Sequence, residues 1–207
     1  MLSYFKEGTL VTDFNLSKTK ENLMKAFAGE SMARNRYTFA AEVLNKQSLH
    51  VLAAVFTYTA DQEKEHAEIF YQHLQKLSHG QVSICADYPV DTAIDPSSLL
   101  RLAKEHELDE HAAIYPEFAK IAREEGFSQV AGSFELIAAI ENTHAKRFEE
   151  FEKMVASGTL FSGDAPSGYV CLNCGHAVSG SSAPEKCPVC QHDKGFFVKT
   201  ELAPFTK

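Results

Sequence analysis

Several features are scarce in this sequence, and each scarcity excludes something. No apolar run approaches the roughly 18–20 residues that a membrane span needs. The opening residues, MLSYFKEGTLVTDFN, hold no continuous apolar core of the secretory type, so the expectation is a cytoplasmic protein that does not engage membranes. Basic charge is short: 20 Lys and Arg stand against 28 Asp and Glu, a net charge of -8. That balance argues against nucleic acid as a partner. Cysteines number five, and four of them fall in two pairs, CLNC at 171–174 and CPVC at 187–190. In a reducing compartment such pairs read as a metal site rather than as disulfides. Cys85 stands alone in a linker and reads as an inert thiol.

Glycine and proline are thin before about residue 160, where long stretches keep helical periodicity. Beyond it the chain turns rich in Gly, Pro and Ser and loses that period. With four Lys against three acids, residues 166–207 carry +1, which leaves -9 on the remainder. The expected architecture is an all-α four-helix bundle in residues 1–165, followed by a small metal-stabilised β/turn module in 166–207. A module this short needs a metal to hold it. The first helix follows NLSKTK and reaches about Lys46, and the second runs from about Ser48 to Leu77. The third opens with Asp95 as cap and Pro96 at its first position and runs to about Glu125, before Gly126. The fourth ends near Ser157. Pro116, inside the third, removes a hydrogen bond and bends that helix. Short joints on either side of a long one predict two antiparallel hairpins linked by a crossover.

At alternating spacings of three and four, each helix shows a seam that is apolar at both ends and acidic in the middle. The first gives Leu23, Phe27, Glu30, Arg34, Tyr37, Ala41 and Leu44. The second gives Leu52, Phe56, Thr59, Glu63, His66, Phe70, His73 and Leu77. The third gives Leu100, Ala103, Glu107, Glu110, Ile114, Glu117 and Ile121. The fourth gives Phe134, Ile137, Glu141, His144, Phe148, Phe151 and Val155.

A buried, unpaired carboxylate costs several kcal/mol, so four such residues at matching depth need a common cause. The layout also repeats: Glu30 lies 33 residues before Glu63, and Glu107 lies 34 before Glu141. Each half supplies one Glu and then a Glu-x-x-His, the ligand set of a carboxylate-bridged pair of metal ions in a helix bundle. A single Glu-x-x-His is a weak signal, common on solvated faces; two copies in register are not. Glu110 is a surplus fifth carboxylate facing the same cavity. Hard ferric iron favours carboxylate over imidazole, so Glu110 and His66 are expected to exchange on one iron with oxidation state. His50, His73, His79, His106, His111, His176 and His192 lack such support and read as surface or packing residues.

The two Cys-x-x-Cys turns lie 12 residues apart. Tetrahedral thiolate coordination suits zinc or a single iron. Spacing does not choose between them, and a structural zinc ribbon is the plain alternative. A nearby two-metal site that needs electrons favours iron.

The segments KAFAGESMARNRYTFAA, TADQEKEHAEIF, EHELDEHAAIYPEFAKIAREEG, ENTHAKRFEEF and YVCLNCGHAVSG…CPVC, in that order, resemble the rubrerythrin family. That family has a ferritin-like diiron bundle followed by a rubredoxin-like domain. The resemblance spans about residues 18–205 and leaves an N-terminal extension, about 1–16, without a role. It implies Glu30, Glu63, His66, Glu107, Glu110, Glu141 and His144 as ligands of two iron ions, with Glu63 and Glu141 bridging. It implies Cys171, Cys174, Cys187 and Cys190 as ligands of one FeS4 iron, and Tyr37 and Tyr115 as tyrosines beside the diiron site. Spacing supports Tyr37, seven residues after Glu30. An ideal helix rotates Tyr115 away, and distortion at Pro116 is the one route back. The implied activity is reduction of hydrogen peroxide to water in oxidative-stress defence. Electrons would come from rubredoxin or an NAD(P)H-dependent reductase, and the assembly would be a homodimer. Two other classes remain: a ferroxidase or iron-handling protein, and a binding module whose tail is a zinc ribbon.

Overall fold

The computed structural model describes residues 3–6, 9–78 and 80–203. Five α-helices carry the larger part: α1 (Lys18–Lys46), α2 (His50–Leu77), α3 (Pro96–Asp109), α4 (Tyr115–Glu124) and α5 (Ser128–Ala156). Ahead of them, β1 (Ser3–Lys6) and β2 (Thr9–Thr12) form an antiparallel hairpin with Ser3 opposite Thr12. The predicted extension is therefore a hairpin, tied to the bundle where the Thr12 N–H donates to the Glu125 carbonyl at 3.1 Å.

Capping accounts for the helix starts. The Ser17 hydroxyl accepts from the Lys20 N–H at 3.1 Å, while the Glu125 carboxylate accepts from the N–H groups of Lys18 and Thr19 at 3.0 and 2.9 Å. A carboxylate from the far end of α4 thus meets the orphan donors and positive dipole end of α1. The expected cap of α3 is present: Asp95 accepts from the Ser98 N–H at 2.9 Å, with Pro96 following. Between α4 and α5 the chain reverses at Gly126, whose φ of 90° favours glycine.

The expected single third helix is interrupted. Glu110–Ile114 forms a π-turn in which the Tyr115 N–H donates to the Glu110 carbonyl, five residues back. Pro116 has no N–H to offer and sits in the first turn of α4, where none is needed. The extra residue resets the helical phase. Before it Leu100, Ala103 and Glu107 are buried; after it the buried set is Tyr115, Ala119 and Ala122. The expected seam positions Ile114 and Glu117 are corrected accordingly: Ile114 is 39% exposed, and Glu117 lies on the surface. Smaller corrections fall elsewhere. Ala33 is buried rather than Arg34, and Leu74 rather than His73, because those seams drift by one residue at a helix period of 3.6, which also leaves Leu77 exposed.

Two apolar clusters bracket a polar layer. One is built around Tyr37, Phe56 and Phe148, and the other around Phe70, Tyr115 and Phe134. Beyond α5, β3 (Ser162–Cys171), β4 (Ala177–Ser182) and β5 (Phe197–Lys199) form a three-stranded antiparallel sheet in the order β4-β3-β5. Cys171 pairs with Phe197 across it. This module rests on the end of the bundle where α1 turns into α2. Val170 and Val198 join the first apolar cluster, and the His50 ring stacks on Phe196 at 3.9 Å.

Candidate metal centres

The polar layer holds Glu30 from α1, Glu63 and His66 from α2, Glu107 from α3, and Glu141 and His144 from α5, each at most 4% exposed. The i, i+3 spacing sets each Glu-x-x-His pair on one helix face, one above the other. Their donor atoms gather into two groups, each with every ligand atom within 4.8 Å of the others. One is Glu30, Glu63, His66 and Glu141; the other is Glu63, Glu107, Glu141 and His144. The groups share Glu63 and Glu141. The His66 Nδ1 lies 2.9 Å from Glu63 and 3.0 Å from Glu141, and the His144 Nδ1 lies 2.8 Å from Glu141 and 3.0 Å from Glu63.

Many of these atoms face one another without hydrogen bonding. Glu30 Oε2, Glu63 Oε1, Glu107 Oε2, both Glu141 oxygens and both His144 nitrogens are buried without a hydrogen-bond partner. Orphaned polar atoms at this density are costly in a protein interior. Their lone pairs converge on two shared points, so the donor set fits two divalent cations. Four carboxylates and two imidazoles would then balance a charge of +4.

Electrostatics without metal carry the same message. Burial, then the neighbouring carboxylates Glu110, Glu141 and Glu63, push Glu30 well above the usual range. Burial and then Glu63 push Glu107 up to about 8. Burial alone would raise Glu63 too, but the adjacent His144 and His66 outweigh it and hold it at about 2. Burial opposes charge on His144 as well, yet Glu107, Glu141 and Glu63 lift it to about 12. Proton uptake of this kind offsets part of the charge on carboxylates buried together.

The tyrosines cross over. Tyr37, from α1, donates its hydroxyl to Glu107 of α3, and Tyr115, from α4, donates to Glu30 of α1. The π-turn supplies the rotation that an ideal helix denied Tyr115, which is 1% exposed. Glu110 belongs to neither four-donor group and instead lines a cavity under the crossover segment.

Sequence reasoning missed Arg147, one turn beyond His144. It is half-buried, donates to Thr59 and Gln62 at 2.8 and 3.0 Å, and lies over the Tyr58 ring. The signal was an arginine one residue off the seam and three residues from His144. The other histidines pack or bond as expected: His73 to Ser133 at 2.8 Å, and His111 to the Ala138 carbonyl at 2.7 Å. His79 lies outside the described residues.

In the small module the four sulfurs also lie within 4.8 Å of one another. Two equivalent knuckles hold them. Cys171 N–H donates to His176 O and Gly175 N–H to Cys171 O, at 2.9 and 2.8 Å. Cys187 N–H donates to His192 O and Gln191 N–H to Cys187 O, at 2.8 and 2.9 Å. Backbone N–H groups also reach the sulfurs. That of His192, first among several causes, holds the Cys190 thiol down to about 6, whereas at Cys174 the His176 N–H is outweighed by burial and the other three thiols, which push the thiol up to about 12.

Residues 21–152 match the family model of Rubrerythrin, and residues 169–198 match that of the rubrerythrin rubredoxin-like domain. The chain belongs to the rubrerythrin family. Rubrerythrin of Clostridium perfringens is 42% identical over 182 residues, covering 87% of this chain and 93% of that one. Rubrerythrin of Nitratidesulfovibrio vulgaris is 38% identical, again covering 87% and 93%. A solved structure of nigerythrin in its fully reduced, all-ferrous state aligns with a TM-score of 0.60 at 27% identity, covering 91% and 94%. As in the rubrerythrin family, the fold is ferritin-like with a four-cysteine C-terminal module. Its metal complement is a diiron site in the bundle and one iron on the four cysteines. Among the described residues no helix is long and apolar enough to cross a membrane.

Proposed function

We propose that this rubrerythrin-family chain is a cytoplasmic peroxidase that reduces hydrogen peroxide to water. What carries the reading is two four-donor groups sharing Glu63 and Glu141 in the same chain as a four-thiolate centre. When bound, two ferrous ions supply one electron each to the peroxide O–O bond, and the FeS4 centre returns electrons singly. Glu63 and Glu141, members of both donor groups, would help hold both ions, while His66 and His144 would each hold one. Tyr37 and Tyr115 fix the outer carboxylates Glu107 and Glu30 through their hydroxyls. Glu110 stands outside both groups and would replace His66 as a ligand of oxidised iron.

The electrons originate with rubredoxin or an NAD(P)H-dependent reductase. Within one chain the module sits by His50, about 20 Å along α2 from Glu63 at 1.5 Å per residue. A homodimer that sets one subunit's module beside its partner's diiron site shortens that path. A ferroxidase would need no electron-return module, which weighs against iron handling.

The test is stopped-flow oxidation of the reduced protein by hydrogen peroxide and by dioxygen. Peroxide is expected to be the faster oxidant, and faster reaction with dioxygen sinks the assignment. Cys174→Ser should abolish turnover with a reductase yet spare single-turnover oxidation of the pre-reduced bundle.

A further inference from the structure

The crossover segment, residues 81–94, roofs a partly open cavity of about 450 Å³. Ala26 and Gly29 of α1, Tyr88 and Pro89 of the crossover, Ala113 of the π-turn and Phe118 of α4 are among the residues that line it. The roof is pinned, since the Tyr88 hydroxyl donates to the Lys25 carbonyl at 2.9 Å. Asp91 lies 4.0 Å from Arg36 and 3.6 Å from His106. Charged groups border it as well, Lys25, Arg36, Asp87, Asp109, Glu110 and Glu117 together with His106, and Arg36 Nε and His106 Nδ1 are buried without a hydrogen-bond partner. The cavity reaches the metal layer through Tyr115, which lines it and donates to Glu30.

The size does not suit hydrogen peroxide alone. Two oxygens need about the room of two waters, each roughly 30 Å³, so the cavity is several-fold too large. The exposed lining is nonetheless mostly apolar, and an apolar surface bordered by polar groups beside the chemistry is the form of a pocket for a small organic molecule. We propose that this cavity admits hydroperoxides carrying a short alkyl group, which the chain reduces alongside hydrogen peroxide. The proposal rests on the peroxidase reading above. The alkyl group lies against Ala26, Ala113 and Phe118, and the hydroperoxide end meets Glu110. Reduction would take up two electrons, which the metal pair held by Glu30, Glu63, His66, Glu107, Glu141 and His144 would supply, and two protons from solvent. The O–O bond breaks and the C–O bond survives, giving one alcohol and one water.

The experiment compares oxidation of the reduced holoprotein by hydrogen peroxide and tert-butyl hydroperoxide, in the native sequence and in Ala113→Leu. Ala113 is exposed, and Leu there adds three carbons to the cavity wall. The tert-butyl compound should oxidise the native protein within about tenfold of the hydrogen peroxide rate. Ala113→Leu should slow it roughly tenfold or more while leaving hydrogen peroxide within about twofold. If hydrogen peroxide reacts and the tert-butyl compound does not, this inference fails and the peroxidase reading stands. If the substitution changes both rates alike or neither, the cavity is not the route, and the inference again fails. If neither compound oxidises the protein, the peroxidase reading itself falls and takes the inference with it. A readout independent of turnover uses redox-inert, zinc-loaded protein with ¹³C-labelled alanine methyl groups. Titration with tert-butyl hydroperoxide should shift the Ala26 and Ala113 signals, and unmoved signals overturn the proposal.

Discussion

The α1–α2 hairpin and the α3–α5 hairpin perform the same task with different backbones. Each gives one Glu, then a Glu-x-x-His, and each gives one tyrosine that reaches the outer glutamate of the other half. In the first half Glu30 and Tyr37 lie seven residues apart on one unbroken helix. In the second, Glu107 and Tyr115 lie eight apart, with a π-turn between them absorbing the extra residue. Glu110, at the start of that turn, lies outside both four-donor groups and lines the cavity under the crossover. Near-symmetry in the ligands therefore coexists with asymmetry in the backbone. One added residue is enough to produce it, because a helical residue turns the chain by about 100°.

Removing that residue should be the most damaging way to break the comparison. Deleting Ala112 from the π-turn would restore an ordinary helix and rotate Tyr115, Ala119 and Ala122 out of the core. A loss on the order of 3–5 kcal/mol is expected, read as a lower thermal midpoint by circular dichroism. An unchanged midpoint would show that the inserted residue does not set the phase. Next in size is the contrast between shared and unshared ligands. Glu141→Ala removes a member of both groups and should empty the bundle of iron, whereas Glu30→Ala should cost one of the two ions. Metal analysis after reconstitution decides this, and equal losses would mean that the carboxylates are not shared as the geometry has them. The smallest effect compares the tyrosines. Tyr37→Phe and Tyr115→Phe each leave one buried carboxylate oxygen without its donor, costing about 1–3 kcal/mol in metal-free protein. Denaturant melts should give similar values for both, and a marked inequality would break the symmetry of the halves.

Much of the site could be read from spacing. Glu30, Glu63, His66, Glu107, Glu141 and His144 declare themselves because ionisable residues at seam positions contradict burial, and the contradiction repeats after 33 and 34 residues. The Asp95–Pro96 start was legible for a local reason, since a cap depends on a few adjacent residues. Tyr115 and Ile114 were not, because a period of 3.6 carried through the π-turn at Glu110–Ile114 places them one residue out of phase. Proline showed that something breaks there, but not whether the chain kinks, ends or gains a residue. Arg147 escaped because its partners, Thr59 and Gln62, lie on another helix.

By itself, then, the sequence determined the four helical seams, the repeated Glu-x-x-His and the two thiolate pairs, because each rests on residue chemistry at short range. Tertiary structure decided that Glu63 and Glu141 stand in both donor groups, as the family resemblance but no spacing implied, that each tyrosine serves the opposite half, and that Glu110 faces a roofed cavity. Those three outcomes depend on how separate helices are rotated about their axes and packed against one another, and no local spacing encodes that.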